Sequence, residues 1–390
     1  MKRSLITAGL AASLAISAGI APVAAQDPLE GEITLWHTYS SGAGTELDAL
    51  NQVIANVGAA NPGLVVNVLE VPFGDVFNKW NLEVASGGGP DLMIVPNDSL
   101  GQMARDGVIA DLTDIVPAEA LAELGTLAVE GSKVDGRLMP VPESLKAVAM
   151  YYNMDTVAAP PATTDELIAA VQGGLKLGLL QGIYHNFGFA GAFGGTLLGE
   201  GGVCAADQGG FAEALQFLAD LKAAGAVIDP SYDNMANGFK DGTFDAIIDG
   251  PWAAGGYAAA VPNLGVAAMP AGPGGPSLPF AGVDGWLINP NGNVDLAVKA
   301  ALAMTSAENQ KIFADTAFHI PANTTIAIDD PISEQFATAV AEGYPRPQST
   351  QFGAFWGPFG DALNKVLDGG MAPADAIAEA CAAMNTANGL

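Results

Sequence analysis

The stretch FKDGTFDAIIDGPWAAGGY, Phe239–Tyr257, holds the reading on which the fold turns. Ala246–Ile248 is a short, wholly apolar run, the kind a strand shows when both of its faces are covered. Gly250-Pro251 then forces a turn, and Trp252 follows at once. A tryptophan on a bend directly after a buried strand either fills a core or faces a ligand. The first half of the chain repeats the rhythm of short apolar strand, turn and helix. Glu32–Tyr39 (EITLWHTY) reads as a strand, and Leu47, Leu50, Val53, Ile54 and Val57 then recur at helical spacing. Asn61–Gly63 (NPG) breaks that helix before a second strand, Leu64–Val71. Val76, Phe77, Trp80 and Val84 mark another helix face, SGGGPD stops it, and Asp91–Val95 is a third strand. Such alternation predicts an α/β protein with a parallel sheet covered on both faces. Sites in these sheets lie beyond the carboxyl ends of strands. That rule puts His37, Asp98 and Trp252 in comparable positions, each just after a strand.

Charge narrows the function. The chain of 390 residues carries 42 acidic and 14 basic side chains, a formal net charge of −28. Such a surface repels phosphate backbones and anionic lipid, which excludes nucleic-acid partners, and after the N-terminal segment no run is long and apolar enough for stable membrane insertion. The N-terminus has a basic start, Met1-Lys2-Arg3, an apolar run, and small residues at Val23-Ala24-Ala25 before Gln26. That is the pattern of a cleavable secretory signal over residues 1–25, cut near Ala25-Gln26, and it predicts a soluble protein of the periplasm. Export permits a disulfide between Cys204 and Cys381, though sequence alone supplies no distance between them.

Chemistry for catalysis is missing. The chain has no G-x-S-x-G elbow, no H-E-x-x-H pair and no phosphate-binding glycine loop. The glycine-rich Gly188–Gly195 matches no phosphate loop and reads as packing or a tight turn. No cofactor and no metal site are expected. What stands out is aromatic residues on loops. Trp252 follows Gly-Pro, Trp356 sits in GAFWGPFG, Tyr184 and His185 sit in QGIYHNF, and Trp286 follows Asp-Gly. Each taken singly is better explained by a core. Together, beside short polar groups, they suit sugar rings, whose C–H faces stack on aromatics while their hydroxyls find a few placed polar groups.

Several segments, in order along nearly the whole chain, resemble the family 1 extracellular solute-binding proteins of ABC transporters, the maltose/maltodextrin-binding family. They are Ala85–Val116 (ASGGGPDLMIVPNDSLGQMARDGVIADLTDIV), Val141–Val157 (VPESLKAVAMYYNMDTV), FKDGTFDAIIDGPWA, Gly265–Asn289 (GVAAMPAGPGGPSLPFAGVDGWLIN) and Gly353–Trp356 (GAFW). The resemblance implies a two-lobed periplasmic-binding-protein fold, each lobe a mainly parallel sheet flanked by helices, with the cleft between the lobes. It implies an N-terminal lobe of residues 26–141 plus 273–321 and a C-terminal lobe of 142–272 plus 322–390. It also implies a monomer that delivers a carbohydrate ligand to an inner-membrane ABC permease and is not an enzyme.

By position, Trp252 and Trp356 match tryptophans that stack on sugar, Tyr184 an aromatic of the same cleft, and Asp98 a carboxylate that accepts sugar hydroxyls. The chain departs from the maltodextrin-binding pattern elsewhere. Val95 stands for a cleft tryptophan, Ser99 for an arginine and His185 for a phenylalanine. Lys146 stands for a glutamate and Gly360 for an arginine. The stacking floor is kept and the polar set is changed, so a sugar is implied but maltodextrin in particular is not. The expected ligand-binding set is therefore Trp252, Trp356, Tyr184, Asp98, His185, His37, Trp286, Asp284 and Lys146. Two other readings compete. A cationic solute such as a polyamine would use Asp249 and Asp284 beside the aromatics, and a secreted glycoside hydrolase would use a carboxylate pair.

Overall fold

The computed structural model of the protein describes residues 28–40 and 45–390. The expected signal segment, residues 1–25, lies outside them. The chain opens with three parallel strands, β1 (Glu30–His37), β2 (Gly63–Glu70) and β3 (Leu92–Pro96), joined by the helices Glu46–Ala60 and Phe73–Ala85. Alternation along the strands divides their side chains between two cores. Ile33, Leu35, Leu92 and Ile94 pack under Ala49, Leu50 and Val53 of the first helix. Trp36, Met93 and Val95 pack under Val76, Trp80 and Val84 of the second. Every residue of β3 is buried, as a central strand covered on both faces requires.

The chain then moves between two sheets. β4 (Val141–Lys146) joins the first sheet, and after Ala147 and Val148 the chain enters the second as β5 (Ala149–Asn153). The second sheet adds β6 (Leu177–Leu180), β7 (Val227–Asp229), β8 (Ala246–Asp249) and β9 (Leu264–Ala267). The chain returns to the first sheet as β10 (Phe280–Ile288), followed by the short β11 (Ile320–Pro321) and β12 (Tyr344–Pro345). Among the described residues the first sheet has seven strands in the order β11-β4-β10-β3-β1-β2, with β12 alongside β10, and the second has five in the order β9-β5-β8-β6-β7.

One boundary differs from expectation. Val141–Lys146 belongs to the first sheet, so the chain changes lobes at Ala147-Val148 and not at 141/142. The two α/β lobes are as expected, and the strands that cross between them run against their neighbours. β10 runs antiparallel to both β3 and β4, and β5 antiparallel to both β8 and β9. A strand that arrives from the other lobe enters its sheet from the opposite end, and that reverses its direction.

The second lobe is closed by three helices, Phe211–Ala224, Trp356–Leu367 and Pro373–Ala387, packed on one another around Phe187, Phe189, Phe217 and Phe359. Burying each such ring stabilises the lobe by about 1.5–3 kcal/mol. A disulfide joins Cys204 to Cys381 in this lobe, with Cα atoms 5.3 Å apart across 177 residues of sequence. The glycines of Gly188–Gly195 serve packing, since a Cβ on Gly191 would meet Leu278 at 2.6 Å. Among the described residues no helix is long and apolar enough to cross a membrane.

Candidate functional site

β8 ends the way the opening stretch suggested. Ala246, Ile247 and Ile248 are buried between β5 and β6, and Asp249 at the carboxyl end is buried as well. The chain turns at Gly250-Pro251, and the indole of Trp252 folds back over the turn. A Cβ on Gly250 would lie 2.0 Å from the Trp252 ring, so only glycine leaves room for it. Trp252 stays half-buried. Its Nε1 donates to the Tyr232 hydroxyl at 3.0 Å. That hydroxyl donates to Asp249 at 3.0 Å, as does Tyr257 at 2.6 Å. The Gly250 amide donates to Asp249 at 2.8 Å, and His185 Nε2 lies 3.4 Å from the same carboxylate.

Three further aromatics gather around this platform. The rings of Tyr184 and Trp252 are 6.1 Å apart, those of Tyr184 and Trp356 6.4 Å, and His185 stands edge-on to Trp252 at 6.0 Å. The first lobe and the crossing segments supply charged groups to the same place. Lys146, the last residue of β4, pairs with Asp284 of β10 at 2.6 Å, and its Nζ lies 5.5 Å from the Trp252 ring centre. Burial acts to lower the Lys146 pKa, but Asp284, Tyr184 and Asp98 together hold it above its ordinary value, so the ammonium stays charged. Asp98 is engaged twice. Its carboxylate pairs with Arg346, and its backbone carbonyl accepts the Trp356 indole N–H at 2.9 Å.

Arg346 went unnoticed in the sequence. It follows β12, is 3% exposed, and donates from Nη1 to Asn97 at 2.9 Å. Its guanidinium carbon lies 5.2 Å from the Tyr184 ring centre, 5.7 Å from Phe280 and 5.9 Å from Trp356, within the range of a cation–π contact. A Cβ on Gly282 would meet its Nη2 at 2.7 Å, so that glycine makes space for the fork. Its Nε and Nη2, and the Tyr184 hydroxyl, are buried without a hydrogen-bond partner among the described residues. The available signal was scarcity: with 14 Lys and Arg in the chain, a cation set between two prolines in YPRPQ had good reason to stand out. Tyr232, which begins the helix Tyr232–Lys240, was missed because a tyrosine after a capping serine looks like any surface residue.

The structure brings together Trp252, Trp356, Tyr184, His185, Asp98, Asp284 and Lys146. It does not bring Trp286 or His37 to them. Trp286 is fully buried in the first-lobe core with Ile94, Val141 and Met304, and this corrects its expected place in the cleft. The reason is depth along the sheet. Asp284 pairs with Pro96 at the carboxyl end of β3, whereas Trp286 pairs with Ile94, one pleat further into the layered core. His37 is 2% exposed, and its Nδ1 accepts the Tyr39 amide at 3.2 Å. Burial lowers its pKa, which leaves it neutral. Its ring neighbour is Tyr39 and not the aromatic group. Close to Tyr39 a second buried cluster is seen in the first lobe. His319 lies 3.0 Å from both Glu143 and Glu46. Burial acts to lower the His319 pKa, but the two carboxylates outweigh it and push the pKa up to about 10.

Known proteins share this architecture. The family model for bacterial extracellular solute-binding proteins matches residues 52–341. A maltooligosaccharide ABC transporter solute-binding lipoprotein of Streptococcus pneumoniae is 26% identical over 327 residues, which span 75% of each chain. A galactooligosaccharide-binding protein of Bacillus subtilis is 25% identical over 342 residues, 81% of each chain. Among solved structures, the Thermus thermophilus maltotriose binding protein bound with maltotriose superimposes with a TM-score of 0.81 at 29% identity, covering 91% of this chain and 100% of its own. These are binding proteins and not enzymes, and the hydrolase reading falls with that. With two α/β lobes, an aromatic group at the carboxyl ends of their strands and a family match over most of its length, the chain belongs to the bacterial extracellular solute-binding proteins and is homologous to sugar-binding components of ABC transporters.

Proposed function

We propose that the protein is the substrate-binding component of an ABC importer and carries a neutral carbohydrate of two or more rings between its lobes. Trp252, Trp356 and Tyr184 stack on the sugar faces. Asp98, Asp284, Lys146 and Arg346 meet the hydroxyls, and His185 closes the edge of the platform. The lobes close as ligand touches both of them, and the closed form docks on an inner-membrane permease. In this reading the protein acts as a monomer in the periplasm, exported by its first 25 residues.

One observation carries the choice of a neutral ligand. The charged groups gathered at the site already have their counter-charges in the protein: Lys146 with Asp284, and Arg346 with Asp98. Asp249 is enclosed by donors from Tyr232, Tyr257 and Gly250. Among the described residues of the site, Asp98, Asp249 and Asp284 are all engaged, so the cationic-solute reading loses its anchor. The named ligands of the relatives, maltooligosaccharide, galactooligosaccharide and maltotriose, are all neutral sugars.

The test is a calorimetric titration against maltotriose, a galactooligosaccharide, a uronate oligomer and spermidine. Binding of one neutral sugar, recovered intact, is the expected result. Binding of spermidine or the uronate alone, with both neutral sugars inert, would overturn the reading.

A further inference from the structure

Asp249 is 1% exposed and takes no part in the sugar contacts proposed above, yet it gathers more donors than any other carboxylate near the site. Its Oδ1 accepts the Gly250 amide and faces His185 Nε2. Its Oδ2 accepts the hydroxyls of Tyr257 and Tyr232. Burial first, and the Asp249 charge second, raise both phenols far above their ordinary pKa, so both keep their protons.

An ionised carboxylate can only accept. The hydrogen of Tyr232 is therefore committed to Asp249, and its oxygen is left to accept the Trp252 indole N–H at 3.0 Å. The chain of hydrogen bonds runs one way, from indole to phenol to carboxylate. A phenol has one proton and two lone pairs. With the proton and one lone pair in use, Tyr232 has a single lone pair left and nothing to donate.

We infer that Asp249 is a positioning residue that fixes the Trp252 platform through Tyr232 and sets the polarity of Tyr232, so that the ligand group meeting it must be a donor, as a sugar hydroxyl is. This rests on the proposed sugar site and narrows it. A ligand that presents a ring oxygen, a carbonyl or a fluorine to Tyr232 places acceptor against acceptor. An asparagine at 249 would keep the shape and lift the constraint. Its amide can donate to Tyr232, which frees the phenol proton to turn toward the ligand.

The experiment uses protein labelled with nitrogen-15 at tryptophan, with the Trp252 indole resonance assigned by its loss in Trp252→Phe. Three variants are compared: Asp249→Asn, Tyr232→Phe and Tyr257→Phe. The indole resonance is expected to move in the first two, with maltotriose binding weakened about tenfold, or ~1.4 kcal/mol. Tyr257→Phe removes a donor from the same carboxylate but not from the branch to Trp252. It is expected to lower the melting temperature while both other readouts stay within twofold or in place. An indole resonance unmoved in Asp249→Asn would overturn the inference, as would an equal loss of binding in Tyr257→Phe. If the unmodified protein binds no maltotriose, the sugar reading is what fails, and the resonance still decides whether Asp249 positions Trp252.

Discussion

The guanidinium of Arg346 lies 5.2 Å from the Tyr184 ring centre while its Nη1 is shared between Asn97 and the carboxylate of Asp98. One side chain from the last crossing segment thus ties the end of β3 in the first lobe to the aromatic group of the second. Trp356 makes the same link with its indole N–H to the Asp98 carbonyl. The site is built around contacts between lobes as much as around any surface of either lobe.

Arg346→Leu leaves Asp98 unpaired in a partly closed setting. Removing one partner of a buried ion pair costs about 3–5 kcal/mol. The expected outcome is a lower melting temperature together with sugar binding weakened at least tenfold, measured by calorimetry on the folded variant. Arg346→Lys keeps the charge but not the planar fork and should recover only part of the binding. Full affinity in Arg346→Leu would remove Arg346 from the site.

The two tryptophans Trp252 and Trp286 should part company. Trp286→Ala empties a fully buried position and is expected to cost about 3–5 kcal/mol of stability. Trp252→Ala removes a half-buried ring and is expected to abolish most sugar affinity with a smaller loss of stability. Urea melts and titrations on both variants check this. Equal stability losses with affinity intact would make Trp252 another core residue.

Gly250→Ala places a Cβ where the Trp252 ring lies. The ring must move or the turn must open, at about 1–3 kcal/mol. The measurable outcome is weaker binding and a shifted tryptophan fluorescence maximum. A variant with wild-type fluorescence and affinity would show that the ring does not rest on Gly250.

The cluster of His319, Glu143 and Glu46 makes stability depend on alkali. The folded pKa of His319, about 10, is above its ordinary value of 6.5, so the stabilisation is complete below pH 6.5 and is lost as pH rises through about 10. The melting temperature should fall across that window. In His319→Gln, whose uncharged amide cannot titrate, the fall should flatten. An equally steep fall in the variant would assign it to other groups.

Cys204→Ser with Cys381→Ser should lower stability by about 2–4 kcal/mol. The disulfide sits among the second-lobe helices, and neither cysteine is one of the residues placed at the site, so affinity at 25 °C should stay within twofold. A large loss of affinity would tie the helical layer to the site.

Local pattern decided much of this molecule. The apolar runs of β1, β3 and β8, the helix faces between them and the glycine-proline turn before Trp252 could all be read from spacing, because period and turn chemistry act over a few residues. The same rules singled out Trp252, Tyr184 and Trp356 as aromatics on loops; Trp252 does follow the turn, while Tyr184 lies in the short helix Ile183–Asn186 and Trp356 opens the helix Trp356–Leu367. Only the tertiary structure decided which of the singled-out residues meet. Asp284 and Trp286 are two residues apart on one strand, yet one reaches the site and the other fills a core, because depth along β10 is set by its partner β3. Arg346 and Asp98 are 248 positions apart, and no local period carries a pairing of that span. The lone pair left on Tyr232 has the same origin: it depends on a carboxylate, a phenol and an indole brought together by β8 and the neighbouring helix, and hydrogen-bond direction exists only once those three are in place.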